Sequence, residues 1–282
     1  MVRQRLSLGT ITLLLIASLW PVTVPAACPE FQGSLQQGGL IWFQVPAGSE
    51  VTLDGTALDV LSDGTTLAGF GRDAAPTARL TISGPAPCDE TLAIARREYR
   101  IQRVEGVPQR TVTPPQAQLE RIRREAARVR DARAPRLADE ALLLSVLGQF
   151  EWPLLGPISG VYGSQRVYNG KPGRPHYGID VARPTGTEVV APAPGVITLA
   201  EPDLFYSGGT VILDHGYRLS STFLHLSAVD VEVGQVLDTG DRIGAVGATG
   251  RATGPHLDWR MNWRNQRIDP GLLVPPQPET AQ

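Results

Sequence analysis

What this chain of 282 residues lacks is the first guide to its function. It has no surplus of positive charge, because 26 Lys and Arg against 28 Asp and Glu leave a formal net charge of -2. There is therefore no basic footprint for a nucleic-acid backbone, and no block of like charges marks a solvating tail. The apolar run Leu13 to Trp20 is shorter than the roughly 20 residues that span a bilayer, which argues against a stable membrane span in the mature form. Cysteine is nearly absent, with only Cys28 and Cys88, and histidine occurs four times, never in the N-terminal half. Imidazole chemistry is thereby confined to the C-terminal half.

What is present supports ordinary globular folding. With 42% hydrophobic and 19% charged residues, the composition provides for one or two domains with real cores. Arg3 and Arg5, the apolar run, and the small residues Val24-Pro25-Ala26-Ala27 succeed one another in the order of a secretory signal peptide. Residues 1–27 are expected to be removed on export. Cys28 directly after the cleavage point raises lipidation as an alternative, against which Pro25 stands in an unsuitable place. In an exported chain an even pair of cysteines is most simply a disulfide; two free thiols are the other reading.

The fold expected is mainly β, in three parts. Residues 28–106 alternate short apolar or β-branched runs (Leu40 to Phe43, Val51 to Leu53, Leu80 to Ile82, Leu92 to Ile94, Tyr99 to Ile101) with turn signals such as Asp54-Gly55 and Asp63-Gly64. That spacing predicts a small β-sandwich-like domain, with no chemistry of its own. Residues 107–149 form a helical linker, in which Glu120 to Arg130 pairs acids with arginines three and four apart. Such a helix is either a solvated spacer or a cover over the neighbouring groove. Residues 150–274 are rich in Gly and β-branched runs and predict an antiparallel β domain, followed by a flexible tail at 275–282.

That last domain holds the candidate chemistry. In His176-Tyr177-Gly178-Ile179-Asp180, Pro175 and Gly178 argue against a helix, so an imidazole and a carboxylate can face one pocket, and both are ordinary zinc ligands. In His256-Leu257-Asp258, strand geometry puts His256 and Asp258 on one face and Leu257 on the other. His225 closes the apolar run Phe223-Leu224. Asp214-His215-Gly216 reads as a turn, with a structural histidine. Tyr206 and Asn169 are candidate groove contacts.

Taken together, these pieces resemble the lysostaphin or LytM type of zinc metallopeptidase over roughly residues 153–271. The likeness extends to Gly163-Ser164-Gln165-Arg166, Ala191-Pro192, Asp214-His215-Gly216 and Gly240-Asp241-Arg242-Ile243-Gly244. The resemblance implies one Zn²⁺ per chain, with peptides of bacterial peptidoglycan as substrate in the periplasm. It implies metal ligation by His176 and Asp180, with His225 and His256 flanking the attacking water. In the family the third ligand is the last histidine of a His-x-His triplet, and here that position is Asp258. Three readings follow. Asp258 replaces the ligand, leaving a formally neutral zinc site of lower Lewis acidity. Alternatively, His256 takes the metal and Asp258 supports it. Or the domain is an inactive regulator that binds cell wall or acts with a murein amidase or another envelope protein.

Overall fold

The computed structural model describes residues 28–104, 116–134 and 137–279. The signal-peptide assignment at 1–27 and parts of the linker and tail lie outside the described residues. Among those described, no helix is long and apolar enough to cross a membrane.

The N-terminal module is built from two small antiparallel sheets. One orders Gln32–Gly33, Leu40–Gln44 and Thr65–Gly69, and the other Thr56–Ala57, Glu50–Leu53, Thr77–Ser83 and Cys88–Ala93. Period-two patterning explains the packing, since Ala78, Leu80 and Ile82 of one strand are buried while their neighbours face outward. Cys28 and Cys88 form a disulfide across a separation of 60 residues, which contributes about 4 kcal/mol by loop entropy.

The C-terminal domain centres on an eight-stranded antiparallel sheet. His256–Trp263 lies between Leu219–Leu226 and Ile179–Ala182, with Gly208–Asp214 and Gly195–Leu204 beyond the former and Ile158–Gly160 beyond the latter. Its back face is apolar. Leu257, Trp259 and Met261 are fully buried there, and Trp152 meets Trp259 edge-on with ring centroids 6.0 Å apart.

The two modules share one contiguous apolar core. At Gly69 the backbone of the N-terminal module lies against the side chains of Trp263 and Ile268. Polar clamps frame this contact. Arg97 Nη1 donates to Asp269 Oδ2 at 2.7 Å, Arg72 Nε to the Gly163 carbonyl at 2.8 Å, and Arg264 Nη2 to Asp59 Oδ2 at 2.9 Å. The chain connecting the modules is shared between them as well. Ile101–Val104, placed in the first domain by its local pattern, pairs in parallel with Gln165–Tyr168 of the second.

Among its described residues the linker contains two α-helices, α1 (Leu119–Arg133) and α2 (Glu140–Val146). Asp139 caps α2 by accepting from the Leu142 N–H at 2.9 Å. The α1 helix is amphipathic and lies on the front face of the sheet. There Val129 and Ala132 pack on Leu199, Leu204 and Ile212, and Glu125 Oε2 accepts from the Phe205 N–H at 2.7 Å. Arg121 donates to the Asp203 carbonyl at 2.8 Å, and Arg128 pairs with Glu201. The helix is thus a cover on the sheet, and the solvated-spacer reading does not describe it.

Candidate metal centre

Strand register assembles the site. Asp180 lies directly opposite Asp258, Ala182 opposite His256, and Leu224 opposite Asp258. The alternation that sends Ile179, Val181, Leu257 and Trp259 into the core therefore leaves Asp180, His256 and Asp258 together on the front face. His176 is pinned beside them by two backbone bonds, from Gly163 N–H to its carbonyl at 2.7 Å and from its own N–H to the Ser164 carbonyl at 2.8 Å. The Gly163-Ser164 turn in the sequence thus has a positioning role.

Two glycines give the carboxylates room. A Cβ at Gly160 would come within 2.1 Å of Asp180 Oδ2, and one at Gly178 within 2.4 Å of Asp258 Oδ1. Any side chain at either place would displace the carboxylate.

One nitrogen or oxygen each from His176, Asp180 and Asp258 falls within 4.8 Å of the others. His176 Nε2 and Asp180 Oδ1 stand 3.1 Å apart, yet both are buried and neither makes an aligned hydrogen bond. Two buried atoms that pair at this distance without an aligned hydrogen bond are compatible with shared ligation of a third. The separation is close to the roughly 3.3 Å expected of two ligands on one tetrahedral zinc ion. The donor set therefore fits a divalent cation.

The two remaining histidines are oriented through Nδ1. His225 Nδ1 lies 2.8 Å from the Thr249 carbonyl, and His256 Nδ1 lies 2.8 Å from the Gly254 carbonyl. A carbonyl can only accept, so in both rings Nδ1 carries the proton and the neutral ring keeps its lone pair on Nε2. His256 Nε2 is 3.9 Å from Asp180 Oδ1, and the two ring centroids are 4.9 Å apart. Burial lowers the pKa of His225, against the opposing pulls of the Thr249 carbonyl and Asp258. His176 shows the contrary balance. Burial disfavours its charge, but Asp180 and Asp258 outweigh that and raise its pKa.

The residue that sequence reasoning passed over is Arg260. It lies two positions beyond Asp258 and so on the same face. Its Nε donates to Asp258 Oδ1 at 2.9 Å and its Nη2 to Oδ2 at 2.5 Å. Burial would raise the pKa of Asp258, whose side chain is only 3% exposed, but Arg260 reverses this and holds it below the usual carboxylate range. The neutral site expected from two carboxylates, one imidazole and Zn²⁺ thus omitted a cation. Arginines also crowd the floor under α1. Arg133 Nη2 donates to Thr222 Oγ1 at 2.9 Å, directly opposite Arg260 in register. Burial together with Arg267 and Arg260 brings the Arg133 pKa down to about 9.

His215 stands apart from the centre, as its turn implied. It is fully buried, with Nδ1 2.7 Å from the Pro194 carbonyl and Nε2 2.9 Å from Ser221 Oγ. Burial lowers its pKa to about 4, so it is a neutral structural residue. Tyr206 lies beside His225, whose N–H donates to the neighbouring Ser207 carbonyl at 2.8 Å, and Arg251 stacks on the Tyr206 ring at 4.7 Å. Asn169 occupies the turn between Gln165–Tyr168 and Lys171–Pro172 with φ +48°.

The profile described as peptidase family M23 matches residues 174–270. Peptidoglycan DD-endopeptidase ShyA of Vibrio cholerae is 39% identical over 95 residues, covering 34% of this chain and 22% of that protein. DD-carboxypeptidase/endopeptidase Mpg of Neisseria meningitidis is 41% identical over 109 residues, covering 39% and 25%. The chain thus spans about a quarter of the length of these curated relatives. A crystal structure from Pseudomonas aeruginosa, described as a peptidase M23, aligns with TM-score 0.64 at 28% identity over 85% of this chain and 95% of that one.

Proposed function

Because residues 174–270 form a peptidase family M23 domain, we propose that this protein is an exported, zinc-dependent endopeptidase that hydrolyses peptide bonds of bacterial peptidoglycan. One Zn²⁺ per chain would be held by His176, Asp180 and Asp258. The observation that carries the reading is the convergence of two buried ligand-type atoms that lack an aligned hydrogen bond, His176 Nε2 and Asp180 Oδ1, beside a second carboxylate, Asp258. When bound, the ion supplies Lewis acidity toward the scissile carbonyl. Of His225 and His256, each with its lone pair on Nε2, one would accept the proton of the attacking water, stabilise the developing oxyanion as an Nε2–H donor and pass that proton to the leaving amine, while the other would orient the same water by accepting a hydrogen bond from it. The substrate class comes from the relatives, two of which are named for peptidoglycan or carboxypeptidase and endopeptidase activity. The Cys28–Cys88 disulfide fits an oxidising compartment such as the periplasm.

A second reading, an inactive regulator that binds cell wall or a murein amidase, is favoured by the bidentate hold of Arg260 on Asp258 and by α1 on the site face. One pair of measurements separates the two. The mature protein is analysed for bound metal and incubated with purified sacculi. The endopeptidase carries about one zinc per chain and releases muropeptides, and His176→Ala loses both. A folded wild type with neither metal nor release is the regulator.

A further inference from the structure

We propose that Arg260 balances the charge of the metal centre, and that Asp258 and Arg260 act as one unit in place of a neutral third ligand. This rests on the metal-binding reading above. The need for such a unit arises from register. Asp180 and Asp258 are direct cross-strand partners, and like charges facing each other across an antiparallel pair are destabilising. The Asp258 side chain is almost completely enclosed, so its charge must be matched locally.

Arg260 supplies the match in a fixed geometry. Its guanidinium reaches back along its own strand and bonds both oxygens of Asp258, the fork-on-carboxylate arrangement that a lysine cannot reproduce. The stem runs across Gly178, where a Cβ would lie 2.7 Å from Arg260 Cγ. A carboxylate oxygen held by a guanidinium retains a second lone pair for a metal. The two carboxylates, the guanidinium and a divalent ion then sum to a single positive charge, the same as for one carboxylate and two imidazoles. The replacement of histidine by aspartate is in this way electrostatically complete only with Arg260 present.

The consequence is opposed effects of single substitutions and cancellation in the pair. Asp258→His restores an imidazole but strands the guanidinium beside the cation, and should lower zinc affinity at least ~10-fold. Adding Arg260→Met should bring affinity back to within ~3-fold of wild type. Affinity is measured by chelator competition on the mature full chain, with a cooperative melt confirming that each variant is folded. Should Asp258→His fail to fold, Arg260→Met alone decides the matter. Its empty site holds two facing carboxylates, so zinc must raise its melting temperature more than it raises that of wild type. An equal rise overturns the proposal. So does an Asp258→His variant that binds zinc as tightly as wild type, or a double variant no better than that single one. If wild type itself takes up no zinc, the metal reading fails and this inference with it.

Discussion

The two faces of the His256–Trp263 strand follow opposite rules. On the back, Leu257, Trp259, Met261 and Trp263 fill an apolar layer in which burial is the stabilising term. On the front, His256, Asp258, Arg260 and Asn262 are enclosed by polar neighbours and by α1, so burial there costs stability unless each charge or polar group finds a partner. The lesson is that one strand can serve two chemistries because side chains alternate at every residue. The fold is held by one set and the site is built from the other, and substitutions should separate them.

The largest effect is expected on the back face. Trp259→Ala removes the largest fully buried side chain and should cost about 4 kcal/mol, read as a lowered denaturation midpoint. Zinc affinity measured below that midpoint should stay close to wild type. A large loss of affinity in a protein that is still folded would erase the distinction between the faces. On the front face, His256→Ala should lower kcat/KM on peptidoglycan fragments by about 10²- to 10³-fold. Its melting temperature should hardly change, because the ring's short hydrogen bond is local, to the carbonyl of Gly254 two residues away. A stability loss comparable to that of Trp259→Ala would make His256 a structural residue.

A third experiment sharpens the comparison at the far end of the sheet. Asp214 is buried, and burial raises its pKa from 3.8 to about 6, while the Gly216 N–H pulls the other way. An acid with a raised folded value holds its proton more tightly when folded, so the penalty begins near pH 3.8, where the unfolded chain ionises, and is complete above about pH 6. Asp214→Asn keeps the acceptor for Gly216 but cannot ionise. It should be the more stable form at pH 7, by up to about 3 kcal/mol. Its advantage should shrink as pH falls through 6 and vanish below about 3.8. His215 is common to both proteins and cancels in the difference. An advantage that stays constant from pH 7 to pH 4 would exclude the titration of Asp214.

Much of the site was legible in the primary structure because its members lie within short segments of fixed geometry. His176 and Asp180 straddle a glycine turn, and His256 and Asp258 share a strand face, so spacing alone indicated which side chains lie side by side. Arg260 was equally legible by the same alternation, two residues further on, and was missed because attention rested on ligand types alone. The structural role of His215 followed from its turn. The two-sheet character of residues 28–93 and its alternating burial were also visible in the spacing of apolar runs and turn residues.

Other features had no local signal. Residues 101–104 look like one more strand of the first module, yet they pair with 165–168, some sixty positions away. Helix α1 has the acid and arginine pairs of a solvated helix, but its narrow stripe of Val129 and Ala132 and the reach of Arg133 set it on the front face.

From the sequence alone came the β-rich domains, the export pattern, the scarcity of cysteine that leaves one disulfide, and the grouping of five candidate site residues, because each depends on residue type and on spacing within a few positions; the roles proposed for those five came from a family resemblance. Only the tertiary structure decided that Asp180 faces Asp258, that Arg260 completes their charge and that α1 lies over the same face. Those relations depend on strand register and on which surfaces exclude water, and both are set by the folded chain as a whole.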